Sequence, residues 1–99
     1  MSPFFVNYED GRVATRRQLI EAGIAPPNGA RPPRPWHQIR GTGDASTLWY
    51  AVMVKRERGV FIGTLSIRHG DRHALLLERG WHEVPVAEIR VDGPPAPVL

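Results

Sequence analysis

Two histidines flank the segment His69-Gly70-Asp71-Arg72-His73. If that segment is a hairpin turn, the two imidazoles come within reach of one zinc or nickel ion, and His37 or His82 is available as a third nitrogen. The same residues equally suit an exposed turn whose polar side chains bind nothing, which is the commoner meaning of two loosely spaced histidines. General acid–base work by the pair would need a carboxylate to orient an imidazole, and none stands at an obvious spacing.

Phosphate recognition is the second chemistry the residue types allow. Arg16 and Arg17 precede Leu19, Arg56 and Arg58 flank Glu57, and Arg68 and Arg72 surround the histidine segment. If these six converge, the face attracts phosphate. Glu21, Glu57 and Asp71 sit among them, so the plainer expectation is a mixed-charge solvated surface. Docking is the third. Trp36-His37 and Trp81-His82 repeat a dipeptide, and exposed tryptophans mark hot spots or stacking platforms; otherwise they cover the ends of a small core. Trp49 lies in an apolar run and is expected inside. Arg31-Pro32-Pro33-Arg34-Pro35 has the Pro-x-x-Pro spacing that proline-reading domains recognise, although a stiff connector over its own domain uses the same residues.

These side chains have to be held by few elements. Residues 3–8 read as a strand, and Thr15 with Gln18 has capping-box spacing for a helix over about 16–22 that ends before Gly23. Leu19, Ile20 and Ile24 would face the core. Residues 25–35 contain five prolines and predict an extended connector, with a loop through residue 46. Leu48 to Val54 is apolar on both faces, as a covered strand is. Arg56-Glu57-Arg58-Gly59 predicts a turn, Val60 to Ile67 a return strand with a bend at Gly63, His73 to Glu78 a third strand, and Trp81 to Val91 a last strand broken near Pro85. Residues 92–99 read as a free tail.

The pattern Val60-Phe61-Ile62-Gly63-Thr64-Leu65, then Ala74-Leu75-Leu76-Leu77, then Val84-Pro85-Val86-Ala87-Glu88-Ile89 resembles the SH3-like and Sm-like small β-barrels. The resemblance covers residues 50–91 and carries no binding motif. It implies an α+β chain: a small antiparallel β-barrel or strongly twisted sheet, with an N-terminal strand and one short helix. One domain over 1–91 is expected, made of strand and helix (1–24), proline-rich connector and loop (25–46) and sheet (47–91). Its core would gather around Phe61, Leu65, Leu75 and Leu77.

Composition limits the function. The chain of 99 residues has no cysteine, which removes disulfides, thiolate metal sites and cysteine nucleophiles and favours a cytoplasmic setting. No apolar run approaches the roughly 20 residues of a membrane span, and the first residues lack a signal-peptide pattern. Twelve of the thirteen basic residues are Arg, a usage typical of GC-rich bacterial genomes. Phosphate-loop, nucleophile-elbow and paired-carboxylate motifs are missing, and no motif calls for a cofactor. The expectation is a non-enzymatic interaction module, a small accessory or regulatory protein that docks on a larger protein partner or on its own copy, through Trp36, Trp81, Arg31 and Arg34. The first alternative is a nucleic-acid-binding barrel using Arg16, Arg17, Arg56, Arg58, Arg68 and Arg72. The second is a metal-dependent enzyme or sensor using His69 and His73.

Overall fold

Thr15 and Gln18 close the reciprocal pair that their spacing predicts. The Gln18 N–H donates to Thr15 Oγ1 at 3.1 Å and the Thr15 N–H to Gln18 Oε1 at 2.9 Å, which satisfies two of the donors a helix start leaves open. This cap begins α1 (Arg16–Glu21) in a computed structural model that describes residues 3–40 and 47–97. The described residues form six strands: β1 (Phe4–Asn7), β2 (Val13–Thr15), β3 (Trp36–Gln38), β4 (Tyr50–Glu57), β5 (Val60–Ile67) and β6 (His82–Val84). A second helix, α2 (Asp71–Glu78), lies between β5 and β6.

The strands form two antiparallel three-stranded sheets, β2-β1-β3 and β5-β4-β6. Alternation along β1 and β4 explains why both are buried on both faces. Phe4 and Val6 meet Val52, Val54, Phe61 and Val84 in a core between the sheets. Phe5 points the other way, onto Ala14, Leu19, Ala25 and Trp36 beneath α1. Ala51 and Met53 point outward from the second sheet onto Leu76 of α2 and half-buried Trp81. Each sheet is therefore covered on both sides, and the chain is mixed α+β.

Among the described residues the sheets do not close into a barrel. They touch through an isolated parallel bridge between Arg40 and Thr64 and through the Phe61 N–H donating to the Tyr8 carbonyl at 2.9 Å. Gly63 pairs regularly with Val54 rather than bending β5. Its lack of a side chain admits Ile39, since a Cβ there would lie 2.7 Å from Ile39 Cδ1.

Four expectations need correction. Residues 73–78 form a helix, not a strand. Asp71 in the first turn suits the helix dipole, and Ala74, the three leucines and Glu78 are good helix formers. The inward residues are His73 and Leu76, at i and i+3, while Leu75 and Leu77 are 41% and 49% exposed. Of the four side chains expected to make the core, only Phe61 is fully buried there, with Leu65 packed partly against it. Trp49, expected inside, is 67% exposed. Residues 92–97 also lie against the body: Ala96 is buried and its N–H donates to the Asp10 carbonyl at 2.8 Å.

The β4–β5 turn carries a local strain that can be relieved. Glu57 pairs with Val60, so the loop is Arg58-Gly59, with φ of 52° and 83°. Two positive φ values define the type I′ turn, which favours Asn-Gly. Arg58→Asn is expected to stabilise the fold by about 0.5–1 kcal/mol, because arginine pays most of the left-handed penalty and asparagine little of it. Urea denaturation at constant m-value measures the gain.

Candidate functional site

The histidine pair does not flank a hairpin turn. His69 takes φ of 62° just before Gly70, the N-cap of α2. His73, in the first turn of that helix, accepts the His69 N–H at Nδ1, 2.9 Å away. With Nδ1 an acceptor, Nε2 carries the ring hydrogen and donates to Glu83 Oε1 at 2.7 Å. Both nitrogens of buried His73 are thus engaged. Among the described residues no three His, Cys, Asp or Glu side chains gather to hold a metal.

Glu83, on β6, is the carboxylate that sequence spacing did not reveal. Its other oxygen accepts from Arg68 Nη1. Burial pushes the Glu83 carboxyl up, but the hydrogen bonds from Arg68 and His73 and the charge of Arg68 outweigh that and hold it below its ordinary range. The second arm of Arg68, Nη2, donates to the carbonyls of Thr47 at 3.0 Å and Tyr50 at 3.1 Å, and the Arg68 backbone N–H donates to the Trp49 carbonyl at 2.8 Å. One arginine therefore fastens the turn that enters β4 to the end of β5.

That turn presents the most exposed large apolar side chains among the described residues. Leu48 is 72% and Trp49 67% exposed, and Ile67, opposite Tyr50 in the β4–β5 register, is 62% exposed. They lie together at the open end of the hairpin. The two tryptophans expected to dock are placed otherwise: Trp36 is 4% exposed and belongs to the core under α1, and Trp81 packs against the α2 cluster. Trp81 also borders a groove of about 380 Å³ with Phe61, Leu77 and Pro97.

The six arginines expected on one face are dispersed. Arg56 and Arg58 sit at the hairpin tip, and Arg68 lies just past the other end of β5, about 25 Å away at strand rise. Arg17 pairs with Glu21 at 3.2 Å, and Arg72 donates to the Leu65 carbonyl at 2.7 Å. Only Arg16 joins a basic recess. It stands with Arg31, Arg40, His37 and Gln38 around an open cleft of about 730 Å³ on the outer face of the first sheet. Arg16 Nη1 donates to the Ala30 carbonyl at 3.0 Å, and its guanidinium lies 5.0 Å above the Phe5 ring. Arg34 is exposed nearby in the proline-rich segment. A sequence signal for this cleft exists: from Ala22 to Gly43 there is no acidic residue, while Arg31, Arg34 and Arg40 fall within it.

No helix among the described residues is long and apolar enough to cross a membrane. Comparison with protein-family models, curated proteins and solved structures yields no match, so the surfaces are read from their own chemistry.

Proposed function

We propose that this chain is a non-enzymatic interaction module that docks on a larger protein partner through the apolar end of the β4–β5 hairpin. The observation that carries this reading is the exposure of Leu48, Trp49 and Ile67 at one place. Single exposed apolar residues are ordinary, but a tryptophan flanked by two aliphatic side chains is the composition of an interface centre. Such a patch lowers solubility and is retained where a partner covers it. The clamp from Arg68 supports the same reading, because it pre-positions the turn and reduces the ordering cost of binding. A cysteine-free chain suits a reducing compartment, so the cytoplasm is the setting we infer for the partner.

The test is capture from the native host, followed by reconstitution with the purified partner. Trp49→Ala is expected to weaken the reconstituted complex about 30-fold, the scale of an interface hot spot. Leu75→Ser, on the exposed side of α2, is the control and should leave affinity unchanged. Sedimentation of the free chain separates a foreign partner from a second copy. A partner held equally well by the Trp49 variant would overturn the proposal.

A further inference from the structure

Among the described residues the basic cleft is walled by residues 5–40 and shares none with the hairpin end. We propose that it binds the phosphates of a short single-stranded nucleic-acid segment, with Arg16, Arg31 and Arg40 on the phosphates and Gln38 at the level of the bases.

Among the described residues, the charges in the cleft have no carboxylate partner and no acidic lining. Asp10, Glu21, Glu57, Glu83 and Asp92 each neutralise a cation elsewhere. Arg31 and Arg40 have no carboxylate partner among the described residues, and no acidic side chain lines the cleft. Arg16 spends one donor on Ala30 and is steadied over Phe5, which leaves most of its five N–H groups for an anion. Three separate guanidinium groups, Arg16, Arg31 and Arg40, surround the cleft, so it suits a ligand with more than one anionic group.

The floor decides between nucleic acid and acidic peptide. A peptide gains affinity by burying anchor side chains in apolar pockets. Here the rings of Phe5 and Trp36 are already buried by the chain itself, so the floor offers little apolar surface to an anchor. What it does offer is the exposed Gln38 amide, paired with Phe5 in the register and so on the same face, which both donates and accepts. An amide beside arginines matches the way the edges of unstacked bases are hydrogen-bonded. A duplex is read by an element that projects into its groove, whereas this site is a recess of small-ligand size.

The experiment is fluorescence anisotropy with labelled 12-nucleotide single strands of DNA and RNA at 50 and 200 mM NaCl. A labelled 12-residue poly-glutamate peptide is the second probe. With three phosphate contacts, affinity should fall about 20-fold between the two salts. Arg31→Gln/Arg40→Gln, both at exposed positions, should leave about a threefold salt effect and bind at least tenfold more weakly at 50 mM. Gln38→Ala should weaken binding about fivefold without changing the salt slope. Arg56→Gln/Arg58→Gln, at the hairpin tip, should match the parent chain. Circular dichroism confirms that each variant is folded. Absence of oligonucleotide binding at 50 mM, equal loss from the tip variant, or poly-glutamate binding as tightly as the oligonucleotide each overturns the proposal.

Discussion

Glu83→Gln is expected to destabilise the chain by about 2 kcal/mol at neutral pH and to remove part of its acid sensitivity. Among the described residues the carboxylate is the only anion paired with Arg68 and His73. Removing one partner of a buried charged pair costs about 3–5 kcal/mol. The side chains of Arg68 and Glu83 are each about a quarter exposed, so water recovers some of that cost and the lower figure applies. The pH dependence follows from the direction of the shift. The folded carboxyl is held below its ordinary value, so the unfolded chain takes up the proton first as the solution is acidified. The stabilisation is complete above the unfolded value of about 4.3 and is lost as pH falls through the lower folded value. Parent and variant should therefore differ most above pH 5 and converge towards pH 2. Urea denaturation across that range measures both effects; curves that stay parallel would show that Glu83 is not ionised in the network. The variant should also speed amide exchange at Arg68, whose N–H holds the Trp49 carbonyl, because the clamp on the docking turn loses its anchor.

What the sequence made legible was local. The capping box needs only Thr15 and Gln18 at fixed spacing, and the β4–β5 hairpin needs only two apolar runs around a glycine turn. The covered strand at residues 50–54 was readable for the same reason, since an apolar run on both faces demands two covering layers. The failures were of period and of distance. Leu75-Leu76-Leu77 is apolar at three successive positions, and such a run fits strand and helix alike. The helical face is marked by His73 with Leu76, and a histidine at a core position hides the pattern. Trp49 and Trp36 cannot be told apart by residue type: Trp36 is enclosed because the chain returns over it as α1 and the Phe5 face of β1. The Arg68–Glu83–His73 network was hidden because its members come from three separate elements. By residue type Arg68 points to phosphate and His73 to a metal, yet both serve to fix one turn. The cleft is half legible, since Arg16 reads as a phosphate ligand and Arg31 as part of a proline-rich docking motif, and only the fold puts them around one recess.

The docked C-terminal segment sets up the largest effect expected from a single methyl group. Gly11 has φ of +80°, and its N–H donates to the Asn7 carbonyl at 2.7 Å. A Cβ at Gly11 would lie 2.6 Å from Ala96 Cβ and 2.9 Å from Phe61 Cδ1. Gly11→Ala therefore meets two costs at once. The left-handed backbone costs an alanine about 1–2 kcal/mol, and forcing a methyl into a filled contact costs about 1–3 kcal/mol more. Together about 2–5 kcal/mol is at stake, a large share of the stability of a small domain, with a fall in Tm on the order of 15 °C. Neighbouring sites are not additive, and here that property is diagnostic. In an Ala96→Gly background the Ala96 clash is gone, while the φ penalty and the Phe61 contact remain. Gly11→Ala should then cost less than it does in the parent chain, by about 1 kcal/mol on the scale of coupled contacts. Thermal and urea denaturation of the four chains in this cycle give the coupling directly. If the cycle shows none, residues 92–97 do not rest on Gly11, and the end of the chain is the free tail that its prolines suggest.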